Sequence, residues 1–137
     1  MREKHEVATE NGVVMLPWII AVDFDGTIVE DRFPEIGMVN RETVRQLKLA
    51  KEQGCALILW TCRTGKALEE AIKLTDSEGI QFDAINDNID EVKALGWEAR
   101  KVYANEYWDD KAIEYFCDSM TSRAVENEPW ALYLCKQ

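Results

Sequence analysis

The chain has 137 residues, 47% hydrophobic and 31% charged. That length suits one domain over residues 1–137, and the balance excludes disorder and collagen-like structure. Sixteen Lys and Arg against 26 Asp and Glu leave a formal charge of −10, a field that repels nucleic acid polymers and anionic membranes but admits a small phosphorylated substrate wherever a bound cation reverses the sign locally.

Residues 1–12 are polar and predict a frayed start. Val13 to Val22 is an apolar run of ten residues containing Pro17, about half of what spans a bilayer. It runs straight into Asp23-Phe24-Asp25 with no small-residue cleavage site, so it predicts a strand and its lead-in rather than a signal peptide. Trp18–Val22 has the Ile and Val content of a strand covered on both faces. Asn40–Gln53 predicts a helix, with Asn40 as N-cap, Val44, Leu47 and Ala50 on one face, and Gly54 as the stop. Cys55–Trp60 predicts a second strand, Gly65–Ser77 a second helix ending at Gly79, and Ile80–Ile85 a third strand. Glu91–Leu95 predicts a helical turn, Lys101–Trp108 extended chain, and Asp110–Met120 a helix. The form of the last 17 residues is left open. This alternation of strands and helices predicts an α/β fold with a parallel sheet and helices on both faces. Such sheets carry their chemistry at the carboxyl ends of the strands.

The four cysteines, Cys55, Cys62, Cys117 and Cys135, contain no C-x-x-C pair, and His5 is the single histidine. That argues against structural zinc and for reduced, mostly buried thiols in a cytoplasmic protein. With no histidine nearby to activate it, Cys62 is a poor nucleophile. The five tryptophans predict core packing.

Polar residues follow the apolar strands at several places. The first strand ends in Asp23-Phe24-Asp25-Gly26-Thr27, the second in Thr61-Cys62-Arg63-Thr64-Gly65, and Tyr107-Trp108 leads into Asp109-Asp110. In extended chain, residues two apart point the same way, so Asp23 and Asp25 are expected to project together, with Gly26 allowing a sharp turn. Close carboxylates repel, and Asp109 and Asp110 would bring the cluster to −4, so a divalent cation is expected. Oxygen ligands without His or Cys favour Mg2+.

The segment DFDGT, a Thr after a second apolar strand, a Lys, and an Asp pair, in that order, resembles the haloacid dehalogenase superfamily of phosphohydrolases. The stretch from Lys101 to Asp110 is similar to the corresponding part of small bacterial phosphatases and deoxyribonucleotidases of that superfamily. The resemblance implies a three-layer Rossmann-like fold. It implies Asp23 as the nucleophile forming an aspartyl-phosphate and Asp25 as general acid, then base. Thr61 and Lys101 would hold the phosphoryl group, and Cys62 and Arg63 would line the substrate site. Mg2+ would be held by Asp23, the Asp25 carbonyl, Asp109 and Asp110. An acid at position 25 favours a phosphomonoester hydrolase, with a phosphotransferase or phosphomutase, or a receiver-like phospho-accepting module, as alternatives. Thirty-five residues separate Asp25 from Thr61 and 39 separate Thr61 from Lys101. Neither gap has room for a cap domain, so an open site is expected, screened by the loop Ile28–Val39 or by a second copy of the chain. The loop Phe82–Asn88 is expected to face it.

Overall fold

A computed structural model describes residues 2–112, together with the backbone of the segments 117–118 and 123–124. At its centre are four parallel strands: β3 (Ile19–Val22), β4 (Ala56–Leu59), β5 (Ala84–Ile85) and β6 (Glu106–Trp108), in the spatial order β5-β4-β3-β6. Ile19 to Val22 pair residue for residue with Ala56 to Leu59, and Ile20 to Val22 pair with Glu106 to Trp108 on the other side. The order reverses between β3 and β6, which is consistent with a Rossmann-like fold, and the strand ends flanking that reversal form a natural crevice.

The continuous apolar strands divide their side chains between two cores, as the period-2 pleat requires. Ile20, Val22, Leu57 and Leu59 enter one core, with Val44, Leu47 and Ala50 of helix α1 (Arg41–Glu52) and Ala71 of helix α2 (Gly65–Ser77). Ile19, Ala21, Ala56 and Ile58 enter the other. Helix α1 starts as predicted: Asn40 Oδ1 accepts the Thr43 N–H at 3.2 Å. Both long helices lie against the first core. The second is covered by the one-turn helix α3 (Asp90–Lys93), the 102–104 segment and an antiparallel hairpin of β1 (His5–Thr9) and β2 (Gly12–Leu16). Two faces are covered, but only one by a full helical layer.

That hairpin corrects the expectation of a frayed start. Glu10 and Asn11 make the two-residue turn, and Gly12 follows at φ +118°, a conformation an L side chain rarely adopts. Leu16, Val7 and Val14 pack on the second core, so the polar first residues are ordered by what the hairpin buries.

Other expectations also shift. The run Ile80–Ile85 shortens to a two-residue strand because the Asp83 carboxylate accepts the Leu57 N–H at 2.8 Å and the Lys51 ammonium at 2.6 Å. Only residues 106–108 of the 101–108 stretch pair as a strand. The helix expected over 110–120 is replaced by a turn at 110–111 and by strand β7 (Cys117–Asp118), paired with β8 (Arg123–Ala124). Its remaining positions beyond 112, like the rest of the last 17 residues, lie outside the described residues. Trp18 and Trp108 pack on the first core and Trp60 and Trp97 on the second, as expected; Trp130 lies outside the described residues. Of the expected mostly buried thiols, Cys55 is buried and Cys62 is exposed; the side chains of Cys117 and Cys135 lie outside the described residues. No described helix is long and apolar enough to cross a membrane.

Candidate active site

Strands β3 and β6 lie side by side, and the segments leaving their carboxyl ends meet. The Asp23 N–H donates to the Trp108 carbonyl at 2.8 Å, carrying the pairing one residue past the strand. The chain then folds back at once. The Phe24 carbonyl accepts the N–H groups of Ile28 and Val29 at 2.9 and 3.1 Å, and the Gly26 N–H donates to the Val29 carbonyl at 2.7 Å. Thr27 Oγ1 accepts the Asp110 N–H at 3.1 Å, tying this turn to the one after β6. Gly26, at φ +90°, lies directly beneath the Asp110 carboxylate. A Cβ there would overlap the carboxylate itself, so glycine is required by space as well as by backbone angle.

Carboxylate oxygens of Asp23, Asp109 and Asp110 all lie within 4.8 Å of one another. Unit charges that close repel by about 1 kcal/mol in water and several times more where solvent is partly excluded. Partial burial, and then the negative charges of Asp109, Asp110 and Asp25, push Asp23 up to about 6, while a hydrogen bond from the Phe24 backbone acts in the opposite sense. Among the described residues no salt bridge neutralises Asp23, Asp109 or Asp110. The nearest cation in electrostatic effect is Lys111. Asp110 above all, then Asp31 and more weakly Asp23, raise it, and its Nζ lies 3.5 Å from Asp31. Hard oxygen donors from two strand ends, a glycine that leaves room for one of them, and an uncompensated negative charge fit Mg2+ well.

Beside the cluster a cavity of about 270 Å3 is lined by Asp23, Trp60, Thr61, Cys62, Asn86 and Asp109. Thr61 is held from two sides. Its N–H donates to Asn86 Oδ1 at 2.8 Å, and its hydroxyl accepts the Arg63 N–H at 3.1 Å. Asn86 sits at φ +52°, a left-handed conformation Asn tolerates better than most residues. Thus the 82–88 loop faces the site through Asn86. Helix α2 begins two residues after Arg63, with no acidic side chain in its first turn; the positive end of its dipole favours an anion.

Two predicted residues are placed elsewhere. Asp25 does not join the cluster, because the extended alternation ends at Val22 and the turn redirects its side chain. Both its oxygens accept from Arg63, at 2.7 and 2.8 Å. Lys101 stands with its Nζ 5.3 Å from the centre of the Tyr107 ring and lines a different cavity, of about 420 Å3, with Trp97 and Tyr103. It is not brought to the Asp23 cavity.

Arg63 also departs from expectation. It is 1% exposed. Nε donates to Asp25; Nη2 donates to Asp25 and to the Glu35 carbonyl at 2.8 Å; Nη1 donates to the carbonyls of Pro34 and Ala67 at 3.3 Å. A guanidinium has five N–H donors, and all are used, so none is left for a substrate. Sequence reasoning did not find the roles of Thr27 and Asn86, although Thr27 lies inside the DFDGT motif.

No family model matches the chain, and no curated protein matches it. A solved structure does: a conserved protein from Bacteroides thetaiotaomicron, 35% identical, aligned over 86% of this chain and 98% of that one with a TM-score of 0.65. At that identity and coverage the chain belongs to the same family as the conserved protein.

Proposed function

We propose that this chain is a Mg2+-dependent phosphomonoester hydrolase of the haloacid dehalogenase type acting on a small phosphorylated substrate. The observation that carries the reading is the meeting of Asp23, Asp109 and Asp110 beside a cavity that also contains Thr61. The motif order DFDGT, Thr, Asp-Asp supports it, as does the lack of a neutralising partner for Asp23 among the described residues.

Asp23, Asp109 and Asp110 would hold Mg2+, which when bound would supply the positive charge that lets an anionic carboxylate approach an anionic ester. Asp23 attacks phosphorus, and its bond to phosphorus forms as the bond to the ester oxygen breaks. Asp25 gives that oxygen a proton. It then takes one from the water that attacks the aspartyl-phosphate, which releases inorganic phosphate and restores Asp23. Thr61, fixed by Asn86 and by the Arg63 N–H, offers a hydroxyl to a phosphoryl oxygen. Lys111, coupled electrostatically to Asp110 and more weakly to Asp23, is the ammonium this reading assigns to the phosphoryl group. No residue of the loop Ile28–Val39 lines the Asp23 cavity, so a cover over this open site would come from movement of that loop or from a second copy of the chain.

Turnover of 4-nitrophenyl phosphate with Mg2+ tests the reading. Chelation is expected to stop it and added Mg2+ to restore it. A rate indifferent to chelation rejects the metal assignment, and absence of turnover on a panel of phosphate esters rejects the hydrolase.

A further inference from the structure

Arg63 is a buried cation, and its side chain joins three separate parts of the molecule. Bidentate bonds hold Asp25 in the turn after β3. The bonds to the Pro34 and Glu35 carbonyls hold the 28–39 loop. The bond to the Ala67 carbonyl holds the first turn of α2. Its guanidinium carbon also lies 5.0 Å from the Phe24 ring centre and 5.1 Å from that of Phe33. Phe33 itself is 59% exposed, so this ring is held at the surface by the cation beneath it and not by a surrounding core.

A carboxylate offers about four lone-pair sites. Two parallel N–H bonds from one planar fork take one on each oxygen and fix the carboxylate plane, leaving a second site on each for a proton. An unpaired side chain of this length would rotate freely. Burying a guanidinium without full satisfaction is costly; complete use of its donors therefore defines one geometry for Asp25, loop and helix together. Lysine, a point charge with three donors, cannot reproduce the fork.

We infer that Arg63 is a positioning residue: it orients Asp25 for proton transfer to the leaving oxygen and locks the 28–39 loop in the same act. This rests on the hydrolase reading. Arg63 acts through Asp25 and touches no substrate, so its effect depends on how much the leaving group needs a proton. An alkoxide needs one; 4-nitrophenolate leaves almost unaided.

The test compares kcat/KM for an alkyl phosphate and for 4-nitrophenyl phosphate in wild type, Arg63→Lys, Arg63→Met, Asp25→Asn and the double variant Asp25→Asn/Arg63→Lys. Arg63→Lys is expected to lower the alkyl value about 100-fold and the aryl value less than about 10-fold, within the range that general acid catalysis contributes. In the Asp25→Asn background Arg63→Lys is expected to change the alkyl-to-aryl ratio no further. Trypsin cleavage after Arg32 should be faster in Arg63→Met, reporting the released loop; should that variant fail to fold, Arg63→Lys gives the same readout. Equal losses on both esters, an unchanged ratio, or further loss on top of Asp25→Asn overturns the inference while leaving the hydrolase standing. A wild type that hydrolyses neither ester removes the hydrolase reading and the positioning role with it.

Discussion

Asp23 and Asp25 stand two residues apart in one turn, and their surroundings are opposite. Asp23 faces two further carboxylates, and among the described residues it has no ion-pair partner. Asp25 lies against a buried guanidinium that satisfies both its oxygens. Uncompensated charge in the first environment gives a cation something to bind. Fixed orientation in the second gives a proton donor a direction. Phe24 is buried in the core, 0% exposed, and the chain folding back over its carbonyl turns the Asp25 side chain away from the Asp23 cluster and onto Arg63.

The largest way to break this contrast is Asp23→Asn, which on the proposed reading removes the attacking oxygen and one Mg2+ ligand. Turnover of 4-nitrophenyl phosphate is expected to fall at least 1,000-fold, of the order seen when a nucleophile is removed, with the circular dichroism spectrum unchanged. Retention of a tenth of the activity would refute its role as nucleophile. Next comes Gly26→Ala, whose methyl group occupies the space of the Asp110 carboxylate. Calorimetric Mg2+ affinity is expected to drop about 10- to 100-fold; an unchanged affinity shows that Asp110 is not a ligand. Thr27→Val is a smaller perturbation. It leaves the Asp110 N–H without its hydroxyl acceptor, and one hydrogen bond is worth about 1 kcal/mol, so Mg2+ affinity should weaken no more than about 10-fold with Asp25 unaffected.

The smallest effect is on pH dependence, and it sharpens the contrast. Asp23, pushed up to about 6 in the folded metal-free protein from an ordinary 3.8, binds its proton more tightly folded than unfolded. Its stabilising contribution is therefore complete below about pH 4 and lost as pH rises through 6. Without Mg2+, the melting temperature is expected to decline across that interval. Mg2+ should remove the decline by neutralising the cluster, and Asp23→Asn should flatten it. A wild-type melting temperature indifferent to Mg2+ at pH 7 would contradict this linkage.

The parts of the fold legible in the sequence are those whose pattern is local. Ile19–Val22 and Ala56–Leu59 read as strands because burial on both faces demands unbroken apolar residues. Helix α1 was legible from its cap and stripe, and α2 from its stripe and following Gly79. The hairpin was missed although Asn11-Gly12 is a turn signal, because His5, Glu6 and Glu10 masked the alternation of Val7 with Val14 and Leu16. The gathering of Asp23, Asp109, Asp110 and Thr61 was legible because each lies within two residues of a strand end. Lys101 was misplaced because a lone lysine carries no pattern, and its position depends on how a loop crosses the second core. Arg63 was misread because arginine is usually exposed. Its burial depends on acceptors from Asp25, Pro34, Glu35 and Ala67, which lie in three stretches of chain that no short window contains.

Among the described residues, β6 lies at the sheet's margin, joined along one side to β3 and only three residues long. Yet the chain leaving it carries Asp109 and Asp110. On the proposed reading, filling the ligand set would also fasten the last strand of this sheet in place, so hydrogen exchange at Tyr107 and Trp108 should slow as Mg2+ is added. The margin of the sheet would then report occupancy, with catalytic competence and local order rising along one binding curve.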